Sequence, residues 1–319
     1  MTTGNDALSE VVCTGNSANN ITDSSESNKK FQFSFEVFPP KKTTPIEKVY
    51  ETVAELSTLN PDYISVTYGA GGGAATAAAT VEICSLIKNT YHTETVAHLP
   101  GINLTKGQVE SVLQRLRAHN IMRVLALRGD RRPDETGNIG TDAQNIPQEG
   151  DFCHASELVS FIKGLEIGEG FEISAACYPE VHDEAPDAET DLRHLKEKVD
   201  AGTSLLISQL FFDNDKFYDF LQRASTAGIA VPIQAGIMPL INVRQARHIV
   251  KLCNPHIPQQ MQDIFDKYQD NDDSFRAAGI DYASAQIADL IEQGVDGVHL
   301  YTMNSPATAR AIMQAVQLN

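Results

Sequence analysis

The chain has 319 residues, 42% of them hydrophobic, and 42 acidic against 25 basic residues leave a formal net charge of −17. Such a length and apolar content suit one large α/β core, and the acidity argues against a nucleic-acid backbone as partner while allowing an anionic small molecule held by local cations and N–H groups. Five cysteines without C-x-x-C spacing (Cys13, Cys84, Cys153, Cys177, Cys253) read as reduced thiols of a cytoplasmic protein, and no apolar run is long enough to span a membrane and no secretory signal opens the chain.

Residues 1–30 carry no apolar period (SANNITDSSESNKK) and are expected to form a disordered extension. From Phe31 to the end, short apolar runs alternate with longer amphipathic ones. Strands are predicted at 31–37, 63–67, 94–98, 123–127, 171–176, 204–210, 231–235 and 297–301. Most are apolar throughout, as in a sheet covered on both faces. Helices are predicted at 45–58, 75–90, 105–119, 154–166, 187–201, 214–227, 242–253 and 305–317, with two more at 258–268 and 273–293. Thr105-x-x-Gln108 has the form of a capping box, and Gly202 and Gly228 fall where helices should stop. Asp213-x-Asp215 reads as a helix cap, and Asn271-Asp272-Asp273 as a solvated loop.

Eight strands alternating with helices point to a single-domain (β/α)₈ TIM barrel over residues 31–319, with a doubly wound sheet as the rival. In such barrels chemistry sits at the C-terminal strand ends. Those ends carry Glu36, Thr67, His98, Arg128-Gly129-Asp130, Tyr178 to His182, Gln209 and Tyr301 to Asn304, so polar groups converge on one rim. Glu36 stands among Phe35, Val37, Phe38 and two prolines. Apolar surroundings favour its protonated form, which suits a general acid; a structural carboxylate paired with a cation is the alternative. Gly129 lets backbone approach a ligand, and Arg128 offers a fork of donors, although a turn with a surface ion pair has the same residues. His98 and His182 fit proton carriers or hydrogen-bond donors, and no cluster has metal-ligand spacing.

Gly69-Ala70-Gly71-Gly72-Gly73-Ala74 follows a strand and precedes a helix, as a dinucleotide fingerprint does. The acidic residue that should close the next strand is missing, since that strand ends Ala97-His98-Leu99. The run reads as a flexible loop at a barrel mouth.

In these stretches the sequence resembles the methylenetetrahydrofolate reductase family. The matching segments are Phe33-Ser34-Phe35-Glu36-Val37-Phe38-Pro39-Pro40-Lys41, Ser65-Val66-Thr67-Tyr68-Gly69-Ala70, Ala97-His98-Leu99 and Ala126-Leu127-Arg128-Gly129-Asp130. They continue with Ala176-Cys177-Tyr178-Pro179-Glu180-Val181-His182, Lys198-Val199-Asp200-Ala201-Gly202, Gln209-Leu210-Phe211-Phe212-Asp213, Ala235-Gly236-Ile237-Met238-Pro239 and Tyr301-Thr302-Met303-Asn304. The resemblance implies a barrel holding non-covalent FAD. NADH or NADPH reduces the flavin, and 5,10-methylenetetrahydrofolate then takes its place and leaves as 5-methyltetrahydrofolate, a ping-pong scheme.

By resemblance Glu36 is the acid that opens the bridged folate, and Asp130 tunes flavin and pterin. Cofactor contacts fall on Thr67, His98, Arg128, Gly129, Asp130, Ala155, Tyr178, His182, Asp191 and Lys198. Substrate contacts fall on Glu36, Thr67, Asp130, Gln209, Gln245 and Met303. A homo-oligomer, dimer or tetramer, is implied. The choice between NADH and NADPH is not legible. Four positions depart from the family pattern: Ser305 stands for an Arg, His194 for an Asn, Glu197 for an Arg and His154 for a Tyr. A cofactor-free lyase or aldolase would need a Schiff-base Lys at a strand end, and none is found there. A non-catalytic folate- or flavin-binding relative is the other alternative.

Overall fold

The computed structural model describes residues 30–40, 44–68, 74–102, 104–129, 150–182 and 184–318. Phe31–Asn319 forms one compact unit. Apart from Lys30, the expected N-terminal extension lies outside the described residues, as does the glycine run at 69–73.

Among the described residues there are eight strands: β1 (Gln32–Val37), β2 (Tyr63–Val66), β3 (Thr95–Pro100), β4 (Arg123–Leu127), β5 (Glu172–Cys177), β6 (Leu205–Ser208), β7 (Ile233–Ile237) and β8 (Gly297–Tyr301). All pair in parallel with their sequence neighbours, and β8 closes onto β1, with Glu36 beside Tyr301. The closed order excludes the doubly wound rival. The helices described are α1 (Glu47–Ser57), α2 (Ala74–Asn89), α3 (Lys106–Ala118), α4 (Ala155–Gly164), α5 (Ala188–Asp200), α6 (Asn214–Thr226), α7 (Val243–Cys253), α8 (Gln259–Tyr268), α9 (Asp272–Glu292) and α10 (Pro306–Ala315).

Period-two alternation sorts each strand's side chains between two cores. Phe33, Phe35 and Val37 of β1 join the large apolar layer between sheet and helices. Inside the barrel, Tyr63, Val96, Leu125 and Ile207 form a small apolar cluster. The β7–β8–β1 side of the interior is polar instead. There Gln234 accepts from Tyr63 (2.5 Å) and donates to Gln32 (2.8 Å), and His299 bonds Ser34 through Nδ1 (2.7 Å) and Ser65 through Nε2 (3.1 Å). Buried polar groups of this kind persist because each has a partner.

Local signals account for several element ends. Thr105 and Gln108 make the expected reciprocal capping bonds (3.3 and 2.8 Å). Gly202 and Gly228 adopt φ of +118° and +75° just past α5 and α6. Asp213 caps α6 through the N–H of Asp215 (3.1 Å). Asn271-Asp272-Asp273 is not a loop: Asn271 caps α9 through the N–H of Ser274 (3.0 Å), and the two aspartates fill its first turn. Acidic side chains favour that position because they face the positive end of the helix dipole. Strand β7 runs two residues later than expected, since Pro232 has no N–H to give the ladder. A third hydrophobic cluster, including Leu210, Phe212, Val243 and Met261, fills the space under α7, α8 and α9 and includes Tyr301 at its edge.

Candidate active site

The C-terminal strand ends open into a cavity of about 650 Å³. Its buried end is built from β1, β3 and β8. Glu36 Oε2 lies 3.5 Å from His98 Nε2 and 3.8 Å from His299 Nε2. Burial pushes His98 down to about 4; Glu36 pulls it the other way and His299 adds to the depression. His98 is therefore neutral near pH 7, and its approach to Glu36 is not an ion pair. Its Nε2 is buried and has no hydrogen-bond partner among the described residues.

The loop after β8 fixes Glu36 from behind. Thr302 Oγ1 donates to the Glu36 carbonyl (2.6 Å). Asn304 accepts from the Phe38 N–H (3.0 Å) and donates to the Phe38 carbonyl (2.9 Å), a two-pronged clamp. Met303 and Asn304 take φ of +51° and +54° to make it, a conformation L residues adopt at some cost. Gly236 lets the Tyr301 ring cross β7: a Cβ there would stand 2.1 Å from the Ser208 carbonyl, to which Tyr301 OH donates (2.7 Å).

The middle of the cavity is walled by β4, β5 and β6. Gly129 has φ of +86°, and a Cβ on it would meet Pro100 Cβ at 2.7 Å, so this cradle requires glycine. Arg128 holds Glu184 in a bidentate pair, one arm measuring 3.0 Å. His182 Nδ1 accepts from the Glu184 N–H (3.0 Å), which places the ring proton on Nε2. Burial, then Arg128, lowers the proton affinity of His182, partly offset by Glu184 and Asp191. Tyr178 packs edge-on against His182 at 4.5 Å. Lys198 donates to the Ala176 carbonyl (2.6 Å); burial lowers its proton affinity, with Cys177 and Asp191 opposing. Asp191 accepts from the His182 N–H (3.2 Å). Gln209 accepts from the Leu210 N–H (3.0 Å) through Oε1, which leaves its amide N–H groups to the cavity.

Of the residues expected from sequence, the cavity gathers Glu36, Thr67, His98, Arg128, Gly129, Ala155, Tyr178, His182, Asp191, Lys198 and Gln209. Asp130 lies outside the described residues. Gln245, in the first turn of α7, and Met303 are not among the residues lining this cavity. Sequence reasoning did not single out His299, Ser34, Ser65 or Gln234 beneath Glu36, nor Tyr68 and Glu184 in the cavity wall. The alternation Gln32-x-Ser34-x-Glu36, polar every second residue in an apolar strand, was the available signal. His154, His194 and Glu197, three of the departures from the family pattern, all line this cavity, with the two imidazole rings 6.4 Å apart.

Fold and site together define a single-barrel protein with a ligand cavity at its C-terminal mouth, a carboxylate at the buried end and glycine and cations along its flank. The methylenetetrahydrofolate reductase family model matches residues 20–317. The chain is 35% identical over 295 residues to "Methylenetetrahydrofolate reductase (NADH) 1" of Arabidopsis thaliana, covering 90% of this chain and 48% of that protein. It is 35% identical over 279 residues to "5,10-methylenetetrahydrofolate reductase" of Escherichia coli (strain K12), covering 88% of each. The chain thus spans about half the length of the plant relatives and most of the bacterial one. A Clostridium thermocellum protein described as binding two copies of 5-methyl-5,6,7,8-tetrahydrofolic acid shares the fold, with a TM-score of 0.61, 11% identity, and coverage of 91% of this chain and 96% of that one.

The chain belongs to the methylenetetrahydrofolate reductase family. Among the described residues, no helix is long and apolar enough to cross a membrane.

Proposed function

We propose that the chain is an FAD-dependent oxidoreductase that uses NADH or NADPH to reduce 5,10-methylenetetrahydrofolate to 5-methyltetrahydrofolate. The observation that carries this reading is Glu36 held at the buried end of a cavity of about 650 Å³, beside a buried His98 Nε2 that has no hydrogen-bond partner among the described residues. Such an orphaned nitrogen calls for a ligand atom. The glycine cradle at Gly129 and the donors of Gln209 fit a flat, heteroatom-rich ring system. FAD, when bound, would accept hydride from the nicotinamide and pass it to the folate in a ping-pong cycle.

The chain's own residues supply the rest. His98, neutral, hydrogen-bonds the ligand from one side of Glu36. Glu36 delivers a proton to the bridged folate as its five-membered ring opens, and the Thr302 and Asn304 clamp holds it at the required place. Gln209 orients the pterin. Thr67, Arg128, Ala155, Tyr178, His182, Asp191 and Lys198 grip the cofactor. Asp130 is assigned to flavin and pterin by resemblance, and Gln245 and Met303 to outer parts of the folate. We also assign the chain to the cytoplasm, as a homo-oligomer.

The test begins with an absorbance spectrum of the purified protein, which should be that of a flavoprotein. Anaerobic NADH or NADPH should bleach it, and methylenetetrahydrofolate should restore the colour. Glu36→Gln should spare bleaching and abolish recovery. Equal loss of both half-reactions would refute the acid role, and a colourless protein that gains nothing from added FAD would refute the flavin.

A further inference from the structure

Beneath Glu36 lies His299, an imidazole with no exposed surface. Its ring is held by two other rings and at both nitrogens. Tyr63 stacks on it with centroids 5.7 Å apart and planes inclined by 21°, and Tyr301 stands nearly perpendicular to it at 5.6 Å. Ser34 lies at Nδ1 (2.7 Å) and Ser65 at Nε2 (3.1 Å). No step of the reaction described above uses this layer, yet Nε2 also lies 3.8 Å from Glu36 Oε2.

A count of hydrogens fixes which ring nitrogen carries the proton. Gln234 donates through Nε2 to Gln32 (2.8 Å), so its Oε1 turns toward Tyr63 and Ser34. Burial pushes the Tyr63 hydroxyl well above its ordinary range, which keeps it a donor, and it donates to that oxygen (2.5 Å). Ser34 has two further acceptors within reach of its hydrogen, Gln234 Oε1 and the Val298 carbonyl, each at 3.3 Å. Ser65 has none besides His299 Nε2 among the described residues. Ser65 therefore gives its hydrogen to Nε2, Nδ1 carries the ring proton and donates to Ser34, and Ser34 donates onward to Gln234 or Val298. Every hydrogen in the layer then has an acceptor. The opposite tautomer would leave the hydrogen of a fully buried hydroxyl unmatched, which a protein interior disfavours.

We propose that His299 is the positioning residue of Glu36: locked as the Nδ1–H tautomer by Ser34 and Ser65, it seats the carboxyl from below and presents it no hydrogen, so the acid's bonds are reserved for the ligand in the cavity. This deepens the acid role given above and rests on it. The Nε2 lone pair is already taken by Ser65, so the imidazole neither gives Glu36 a hydrogen nor draws one from it. No hydrogen bond joins Glu36 to its other neighbour either, since His98 Nε2, at 3.5 Å, has no partner among the described residues. The carboxyl thus lies against two imidazoles and is bonded to neither, while the Thr302 and Asn304 clamp fixes its backbone.

Two measurements test this. Nitrogen NMR of the full chain carrying isotope-labelled histidine, with the His299 signals identified by their absence from His299→Leu or from His299→Gln, should show the proton on Nδ1 and an unprotonated Nε2. A proton on Nε2 would overturn the proposal. In rapid-mixing kinetics, His299→Leu should slow reoxidation by methylenetetrahydrofolate at least about tenfold, because a reacting group misplaced by about 1 Å costs on the order of 100-fold. Bleaching by NADH or NADPH should be unchanged, and the folate concentration for half-maximal rate should stay within about twofold, because the lost interaction acts in the reaction step. His299→Gln, whose amide can again accept from Ser65, should recover most of the rate. If His299→Leu fails to fold, Ser65→Ala takes its place: it releases the Nε2 lone pair toward Glu36 and should slow reoxidation while sparing bleaching. Equal slowing of both half-reactions, or reoxidation as fast as in the wild type, would overturn this inference and leave the acid role standing. Wild-type protein whose bleached flavin is not reoxidised by the folate would overturn the acid role and this inference with it.

Discussion

Replacing Asn304 by Ala isolates the clamp that holds the first strand's end to the last strand. The side chain makes two half-buried hydrogen bonds, one from and one to the Phe38 backbone. Each such bond contributes about 1 kcal/mol net, so their joint loss should cost about 2 kcal/mol. With an unfolding entropy of roughly 2 cal/mol/K per residue, that lowers the melting midpoint of the barrel by about 3 °C. Calorimetric melting measures it. The substitution should also slow folate-dependent reoxidation more than reduction by nicotinamide, because Glu36 lies two residues before Phe38. Asn304→Asp is the informative control. It keeps an acceptor for the Phe38 N–H but sets a carboxylate against the Phe38 carbonyl, so it should be at least as damaging as Ala. An Asp variant that melts with the wild type would refute the reasoning.

Two further outcomes follow from the cavity wall. His98 has its folded pKa lowered to about 4 from an ordinary 6.5, so the unfolded chain binds the extra proton between those values. Its contribution to stability is full above about pH 6.5 and is lost as pH falls toward 4, about 3 kcal/mol in all. His98→Asn should flatten chemical-denaturation stability against pH across that window, and an unchanged slope would refute the burial argument. Gly129→Ala should be destabilised by about 2 kcal/mol or more, from its left-handed φ and the close Pro100 contact, and should retain flavin poorly on gel filtration; an unperturbed, yellow variant would count against the cradle.

The barrel was legible because buried parallel strands leave continuous apolar runs, and β4 and β8 match their expected bounds. Strand β3 was expected at 94–98 and runs Thr95–Pro100, with Pro100 as its last residue. The rim residues were legible as polar side chains closing apolar strands. What escaped was the layer beneath them. Gln234 and His299 sit inside runs that look like ordinary strand, and their value lies in partners 171 to 265 positions away, which no local pattern records. Whether Gln245 or Met303 reaches a ligand depends on the arrangement of loops, which strand periodicity does not encode.

The clamp between Thr302, Asn304 and the end of β1 also has a temporal side. It joins residues 266 positions apart, so the carboxylate made among the first barrel residues has no fixed seat until the loop after β8 has left the ribosome. Contacts of such long sequence separation form late, after the loop between them has closed. A barrel stalled before its final strand would carry every residue of the cavity's flank and still lack a positioned Glu36, so the seat of this carboxylate should form only as the barrel closes.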